Sequence, residues 1–122
     1  EYSYEKDPSH SAKNYATTVF RKVDKFNAAI LGVGEDGHIA SLFPDTTALN
    51  ADEKSFVHNE VNILTKWRVT STFELLKNVE NVYLLVTGEY KKEIIKKIGK
   101  ENDLPVNKLI RLRKKTVLLT DQ

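Results

Sequence analysis

Two short apolar runs, each halted by glycine, constrain this chain more than any other feature. The first is Phe26-Asn27-Ala28-Ala29-Ile30-Leu31-Gly32-Val33-Gly34 and the second is Asn81-Val82-Tyr83-Leu84-Leu85-Val86-Thr87-Gly88. Neither alternates polar with apolar residues, as a strand with one wet face does. Continuous apolar strands that end in a glycine turn usually belong to parallel sheets covered on both faces. Between and around them the period changes. Ala12, Tyr15, Ala16, Val19, Phe20 and Val23 recur at three- and four-residue steps, predicting an amphipathic helix from Ser11, with Ser9 or Ser11 able to cap it. Glu89 to Lys100 predicts another, with Ile94, Ile95 and Ile98 inward and lysines outward. Phe56 to Val61 has weak strand character, Arg68 to Thr72 reads as strand or loop, and Thr72 to Leu76 suggests a capped helical turn. Pro105 closes the helical region and Thr116 to Thr120 reads as a last strand. This alternation predicts an α/β domain with a mainly parallel sheet flanked by helices. Ligands of such sheets sit beyond the carboxyl ends of the strands, so the loops at residues 34–38 and 87–91 point to one place.

Composition narrows the class. At 122 residues the chain suits one small domain or one half of a larger one. It has no cysteine, which excludes disulfides and thiolate metal sites and fits a cytosolic protein. No apolar stretch approaches the roughly 20 residues that span a bilayer. The N-terminus lacks a signal-peptide pattern and starts with Glu rather than Met, so an excised piece is expected. Residues 1–10, polar and containing Pro8 as a helix breaker, read as an arm. Residues 1–61 carry 6 Lys and Arg against 10 Asp and Glu, while residues 62–122 carry 13 against 7. The basic half suits an anionic ligand. Nucleic acid is not expected, because no aromatic platform, zinc finger or recognition-helix pattern accompanies the lysines.

The chemistry concentrates in Gly32-Val33-Gly34-Glu35-Asp36-Gly37-His38. Gly32, Gly34 and Gly37 fit a dinucleotide-binding spacing formally. However, a convincing acidic residue about 20 positions on is missing, and Glu35-Asp36 would oppose a pyrophosphate. His38 is the better candidate. A side chain that titrates near neutrality can accept and return a proton, and Asp36, two residues away, can fix its tautomer. The competing reading is a histidine that merely caps a turn. His10 and His58 have no comparable setting. Arg68 offers a fork of donors suited to a phosphate, and Lys91 follows the second glycine-ended strand near a helix start, although any single cation can be a solvated surface charge. The lysines at 92, 96, 97 and 100 read as solvated. No metal-ligand spacing occurs, and Ser41 is not in a nucleophile elbow.

The stretch "LGVGEDGHIASLFPDT" resembles the signature of 6-phosphogluconolactonases, G-x-G-x-D-G-H-x-A-S-L-F-P. "WRVTSTFELLKNVENVYLLVTGEYKKEII", "LPVNKLIR" and "TVLLTDQ" resemble later family segments in order and spacing, so the likeness runs from about Ala12 to Asp121. It implies a Rossmann-like three-layer fold of the sugar-phosphate isomerase/lactonase type, of which residues 11–122 would be the C-terminal half. It further implies hydrolysis of 6-phospho-D-glucono-1,5-lactone in the oxidative, NADPH-generating pentose phosphate pathway, in the cytoplasm, with no cofactor or metal. His38 would be the general base and Asp36 its orienting partner. Gly34 and Gly37 would let the sugar approach, and Arg68 and Lys91 would hold the phosphate. The implied partner is a phosphorylated sugar lactone, with no nucleic acid and no membrane. Because the family also occurs fused to glucose-6-phosphate dehydrogenase, fusion to or association with that enzyme is open. Related glucosamine-6-phosphate deaminases share the G-x-G-x-D-G-H core but carry a proton-relaying glutamate where this chain has Phe43. Two departures from the lactonase pattern stand out: Ile63-Leu64-Thr65-Lys66-Trp67 replaces a proline-rich stretch, and the family's N-terminal phosphate loop and Asp-Glu-Arg segment are absent from these residues.

Overall fold

Helix α1 (Pro8–Phe20) begins earlier than the apolar spacing predicts. In the computed structural model, which describes residues 7–62 and 66–122, Asp7 caps it, its carboxylate accepting from the Ser9 N–H at 3.0 Å. Pro8 takes the first helical position, where a missing N–H costs nothing because that group has no helical acceptor. Pro8 therefore starts the helix instead of breaking it. Pro8 to His10, expected in a polar arm, form its first turn, and residues 1–6 of that arm lie outside the described residues.

Both apolar runs are strands. β1 (Ala28–Gly32) pairs in parallel with β4 (Asn81–Val86), with Ala28 opposite Asn81 and Gly32 opposite Leu85. β5 (Val117–Thr120) adds in parallel to the other edge of β4, giving the order β1-β4-β5. The mainly parallel α/β sheet is thus present, and the glycine loops after β1 and β4 leave it on the same side. A separate antiparallel ribbon joins β2 (Phe56–Glu60) to β3 (Trp67–Ser71), with His58 opposite Val69 and Asn59 opposite Arg68. The weak strand character of Phe56 to Val61 is realised as β2, and the stretch read as strand or loop from Arg68 is strand up to Ser71. Ile63 to Thr65, part of the stretch that departs from the lactonase pattern, lie outside the described residues. α1 packs on this ribbon through an aromatic knot, the Tyr15 ring meeting Phe56 edge-on at 4.9 Å and Phe20 and Phe26 closing around it.

Thr72 caps α2 (Phe73–Lys77), its hydroxyl accepting from the Leu75 N–H at 3.1 Å, as the sequence predicts. The long helix expected over Glu89 to Lys100 is much shorter. A 3-10 turn (Glu89–Lys91) leads into α3 (Lys92–Ile95), after which the buried Asn107 side chain takes the Gly99 N–H at 2.7 Å and donates to the Lys97 carbonyl at 2.8 Å. Those captured groups end the helix. Pro105, read as a stop, is the first residue of α4 (Pro105–Leu112), which buries Val106 and Leu109.

The core lies on one face of the sheet, where Val82, Leu84 and Val86 meet Leu76, Ile94, Val106 and Leu109. On the opposite face Ile30 is 71% exposed, Leu85 46% and Leu119 47%. Burial on both faces, expected from the unbroken apolar runs, is therefore not met among the described residues.

Candidate active site

The segment from Val33 to Asp45 is irregular yet densely bonded. The Gly34 N–H donates to the His38 carbonyl at 2.9 Å and the Gly37 N–H to the Gly34 carbonyl at 2.9 Å, closing a tight loop over Glu35 and Asp36. Ile39 and Leu42 flank the histidine at 0% exposure, each burial worth about 2 kcal/mol. The wholly buried Asn59 on β2 donates to the Ser41 carbonyl at 2.8 Å and to Thr46 Oγ1 at 2.9 Å, and accepts from the Ala48 N–H at 3.2 Å. Every polar atom of that amide side chain is used. The loop is thus tied to β2 by bonds that water does not compete for.

His38 is held in two directions. Its Nδ1 lies 2.5 Å from Asp36 Oδ1, and its backbone N–H donates to the same oxygen at 3.1 Å. A carboxylate can only accept, so the ring proton sits on Nδ1 and Nε2 is left as the basic nitrogen. Partial burial pushes the Asp36 carboxyl up. The hydrogen bonds from the His38 backbone and side chain, with the charge of that ring, outweigh this and hold it below its ordinary value. Both side chains remain accessible, at 30% for His38 and 40% for Asp36. The imidazole also stacks on Phe43, with ring centroids 4.1 Å apart and planes 23° from parallel.

Gly34 is required by this geometry. A Cβ there would overlap the His38 ring and crowd Asp36 Oδ1 at 2.7 Å. Gly37 acts on the other side of the loop. At φ +82° it adopts a conformation that favours glycine, its buried Cα faces Leu104, and its carbonyl accepts from the Val106 N–H at 3.0 Å. It locks the loop to the start of α4 and is not among the residues lining the adjacent cavity.

That cavity, open and about 390 Å³, lies at the carboxyl end of β1 and is lined by Gly34, His38, Ala40 and Lys91 among others. Lys91 reaches it from the other glycine-ended strand. Its Nζ donates to the Val33 carbonyl at 2.6 Å, so this lysine points inward, unlike the outward lysines of the predicted helix. Asp121, just past β5, sets the turn that carries it, accepting from the Gly88 N–H at 3.0 and 3.2 Å. Arg68, on β3, does not line the cavity. Its guanidinium carbon lies 5.3 Å over the Phe43 ring, so Phe43 touches both the imidazole and the arginine.

The other histidines stand apart. His10 is in the first turn of α1, and His58 packs against Trp67 with centroids 5.7 Å apart. A larger groove, about 1080 Å³, runs between α1, residues 47–55 and β2, with His58 on its wall. We place the site at the smaller cavity because there a partnered imidazole and an inward ammonium converge. Among the described residues no three His, Cys, Asp or Glu side chains come together as a metal site needs. Sequence reasoning missed Asn59, the Asp121 anchor and the stacking on Phe43, each of which depends on a contact that residue spacing does not show.

Residues 2–119 match the family described as glucosamine-6-phosphate isomerases/6-phosphogluconolactonase. The chain belongs to this family. Over 119 residues it is 34% identical to the 6-phosphogluconolactonase of Chlamydia pneumoniae, which covers 92% of this chain and 46% of the relative. Its structure is similar to that of 6-phosphogluconolactonase from Trypanosoma cruzi, with a TM-score of 0.75 and 27% identity over 97% of this chain and 51% of that one. A monomeric glucosamine-6-phosphate deaminase also matches, with a TM-score of 0.77 and 18% identity over 97% and 54% of the two chains, which is a likeness of fold alone. The chain spans less than half the length of the curated relatives it matches. No helix among the described residues is long and apolar enough to cross a membrane.

Proposed function

We propose that this family member serves the hydrolysis of 6-phospho-D-glucono-1,5-lactone to 6-phosphogluconate. The observation that carries the reading is the Asp36–His38 pair at the edge of a cavity that also holds Lys91. Nε2 of His38 takes a proton from water as the water oxygen bonds to the lactone carbonyl carbon. The tetrahedral oxyanion then collapses, breaking the bond to the ring oxygen, which receives the proton back from the imidazolium. Asp36 keeps the imidazole in the tautomer this requires and stabilises its transient charge. Most of the rate gain comes from holding water, base and carbonyl in register. Lys91 retains N–H donors beyond the one given to Val33 and meets the substrate phosphate, with Arg68 approaching the same anion from the Phe43 side.

Phe43 favours lactone hydrolysis over amino-sugar isomerisation. The related deaminases need a proton-relaying glutamate at that position, and an aromatic ring cannot carry a proton. The reading places the enzyme in the cytoplasm, in the oxidative pentose phosphate pathway, acting without metal or cofactor, as a stand-alone protein or fused to glucose-6-phosphate dehydrogenase.

This chain is, on the same reading, the C-terminal half of the catalytic domain. The bare apolar face at Ile30, Leu85 and Leu119 and the partial coverage of the relatives support that division. The 122 residues alone are expected to turn over lactone weakly or not at all. The deciding experiment compares full-length wild type, His38→Ala and His38→Gln on freshly made lactone, with spontaneous opening subtracted. Loss of a general base lowers kcat by about 10²–10⁴. Full activity in both variants rules out His38 as the base, and turnover of glucosamine 6-phosphate in place of lactone moves the protein to the other branch of its family.

A further inference from the structure

We propose that Phe43 is a positioning residue for this reaction, fixing the plane of the His38 imidazole and seating the Arg68 guanidinium on the same ring. The proposal rests on the lactonase reading for its consequence, although its geometry stands apart from it.

The hydrogen bond between Nδ1 and Asp36 Oδ1, at 2.5 Å, restrains the ring at one nitrogen, leaving small rotations about Cα–Cβ and Cβ–Cγ as the freedom by which its plane can tilt. Nε2, on the far side of the ring, moves with that tilt. A base that must meet one water in front of one carbonyl tolerates little of it, since misplacement by about 1 Å costs on the order of a hundredfold. The second constraint has to act on the ring face, and Phe43 supplies it, stacked at 4.1 Å and 23°. Phe43 is itself packed into the fold. It is 7% exposed, follows the wholly buried Leu42, precedes Pro44, and its carbonyl accepts from Thr46 Oγ1 at 2.7 Å. Asn59 then ties Thr46 to β2 at 2.9 Å.

An aliphatic side chain of similar volume would fill the space without offering a flat face. Two further features require an aromatic ring. The face of a phenyl ring carries negative potential, so it favours both the Arg68 guanidinium 5.3 Å away and the imidazolium that forms when His38 takes its proton. Arg68 sits on β3 while His38 sits beyond β1, and the Phe43 ring touches both. One ring thereby sets the base relative to a cation from another segment.

The test uses the full-length protein with Phe43→Leu and Phe43→Tyr. In the substrate-free protein the His38 ring protons should resonate upfield, shielded by the stacked phenyl ring. Phe43→Leu should return them toward an unstacked position and Phe43→Tyr should keep them shielded. With lactone, Phe43→Leu should lower kcat on the order of tenfold. Its KM should rise as Arg68 loses its seat, and Phe43→Tyr should recover both. A Leu variant that folds, keeps the His38 signals in place and retains wild-type kcat overturns the proposal. Should the Leu variant fail to fold, the wild-type spectrum decides, because unshielded His38 protons there also overturn it. Absence of lactone turnover in the wild type would sink the functional reading alone, since the spectra judge the stacking without substrate.

Discussion

The turn after β1 holds its working side chain through contacts made largely within residues 33–45, whereas the turn after β4 is held from across the sheet. In the first, Asp36, Phe43 and the Gly34 backbone close on His38 from its own segment. In the second, Asp121 beyond β5 grips the Gly88 N–H and the Val33 carbonyl beyond β1 takes Lys91 Nζ. On the proposed function, the difference follows from what each side chain has to do. A general base acts through one lone pair in one direction, so its ring needs local, angular restraint. An ammonium is a compact charge with three donors and needs only to be brought near an anion. The β1 turn is therefore built for orientation and the β4 turn for placement.

Substituting the two glycines tests that contrast most severely. At Gly34 a methyl group would overlap the His38 ring and crowd Asp36, so Gly34→Ala should displace the imidazole and lower kcat roughly a hundredfold in the full-length protein. At Gly88, with φ +97°, a methyl group would meet Tyr90 Cε1 at 2.6 Å, but that ring is exposed and can swing away. Gly88→Ala should cost stability through its backbone strain more than it costs kcat. Equal losses of kcat in the two variants, with unfolding midpoints compared alongside, would break the distinction.

A smaller effect is expected from removing the charge that the second turn delivers. Lys91→Met forfeits a charge-assisted hydrogen bond of about 1.5–3 kcal/mol, so KM for the lactone should rise roughly tenfold to a hundredfold, with kcat little changed. Arg68→Ala should act in the same direction. If Lys91→Met lowers kcat and leaves KM alone, the ammonium serves the transition state, and the second turn is an orienting device like the first.

The same division governs what the amino-acid sequence reveals. β1 and β4 are legible because continuous apolar runs ending in glycine have few other uses, β5 because it is a short apolar run flanked by threonines, and His38 and Asp36 because they sit two residues apart in a stretch crowded with glycines. The helices are harder. Pro8 and Pro105 each stand first in a helix, and a proline there reads equally well as the end of what precedes it. The spacing of Val106, Leu109 and Ile110 after Pro105 is the available signal for α4. The run of isoleucines and lysines after Glu89 overstates its helix, because Asn107 from a later segment captures backbone groups that would have continued it. Lys91 stands apart from Lys92, Lys96 and Lys97 by its place just after the second glycine-ended strand, and the fold turns it inward by placing the Val33 carbonyl within its reach. The Asp36–His38 pair, two residues apart, leaves a trace in local spacing, and contacts across the sheet do not.

The smallest expected effect separates the two turns by pH. Each is anchored by one carboxylate whose pKa lies below the ordinary 3.8. For Asp36 the hydrogen bonds and charge of His38 outweigh the opposing effect of burial, and for Asp121 the Gln122 side chain leads, followed by the Gly88 N–H. A carboxyl with a depressed pKa binds its proton in the unfolded chain before it does so in the folded one. Its contribution is therefore complete above about 3.8 and is lost as pH falls through the lower folded value. In Asp36→Asn the amide oxygen can still accept from the His38 N–H, but nothing there titrates. That variant should be slightly less stable than wild type at neutral pH, by less than about 1 kcal/mol for so accessible a pair, and the gap should close below pH 3.8. Asp121→Asn should show the same convergence with a smaller gap, because its carboxylate is open to solvent and has no cationic partner among its hydrogen bonds. Unfolding midpoints measured from about pH 2 to about pH 7 would reverse the assignment if the Asp121 gap proved the larger, since the anchor reaching across the sheet would then be the stronger one.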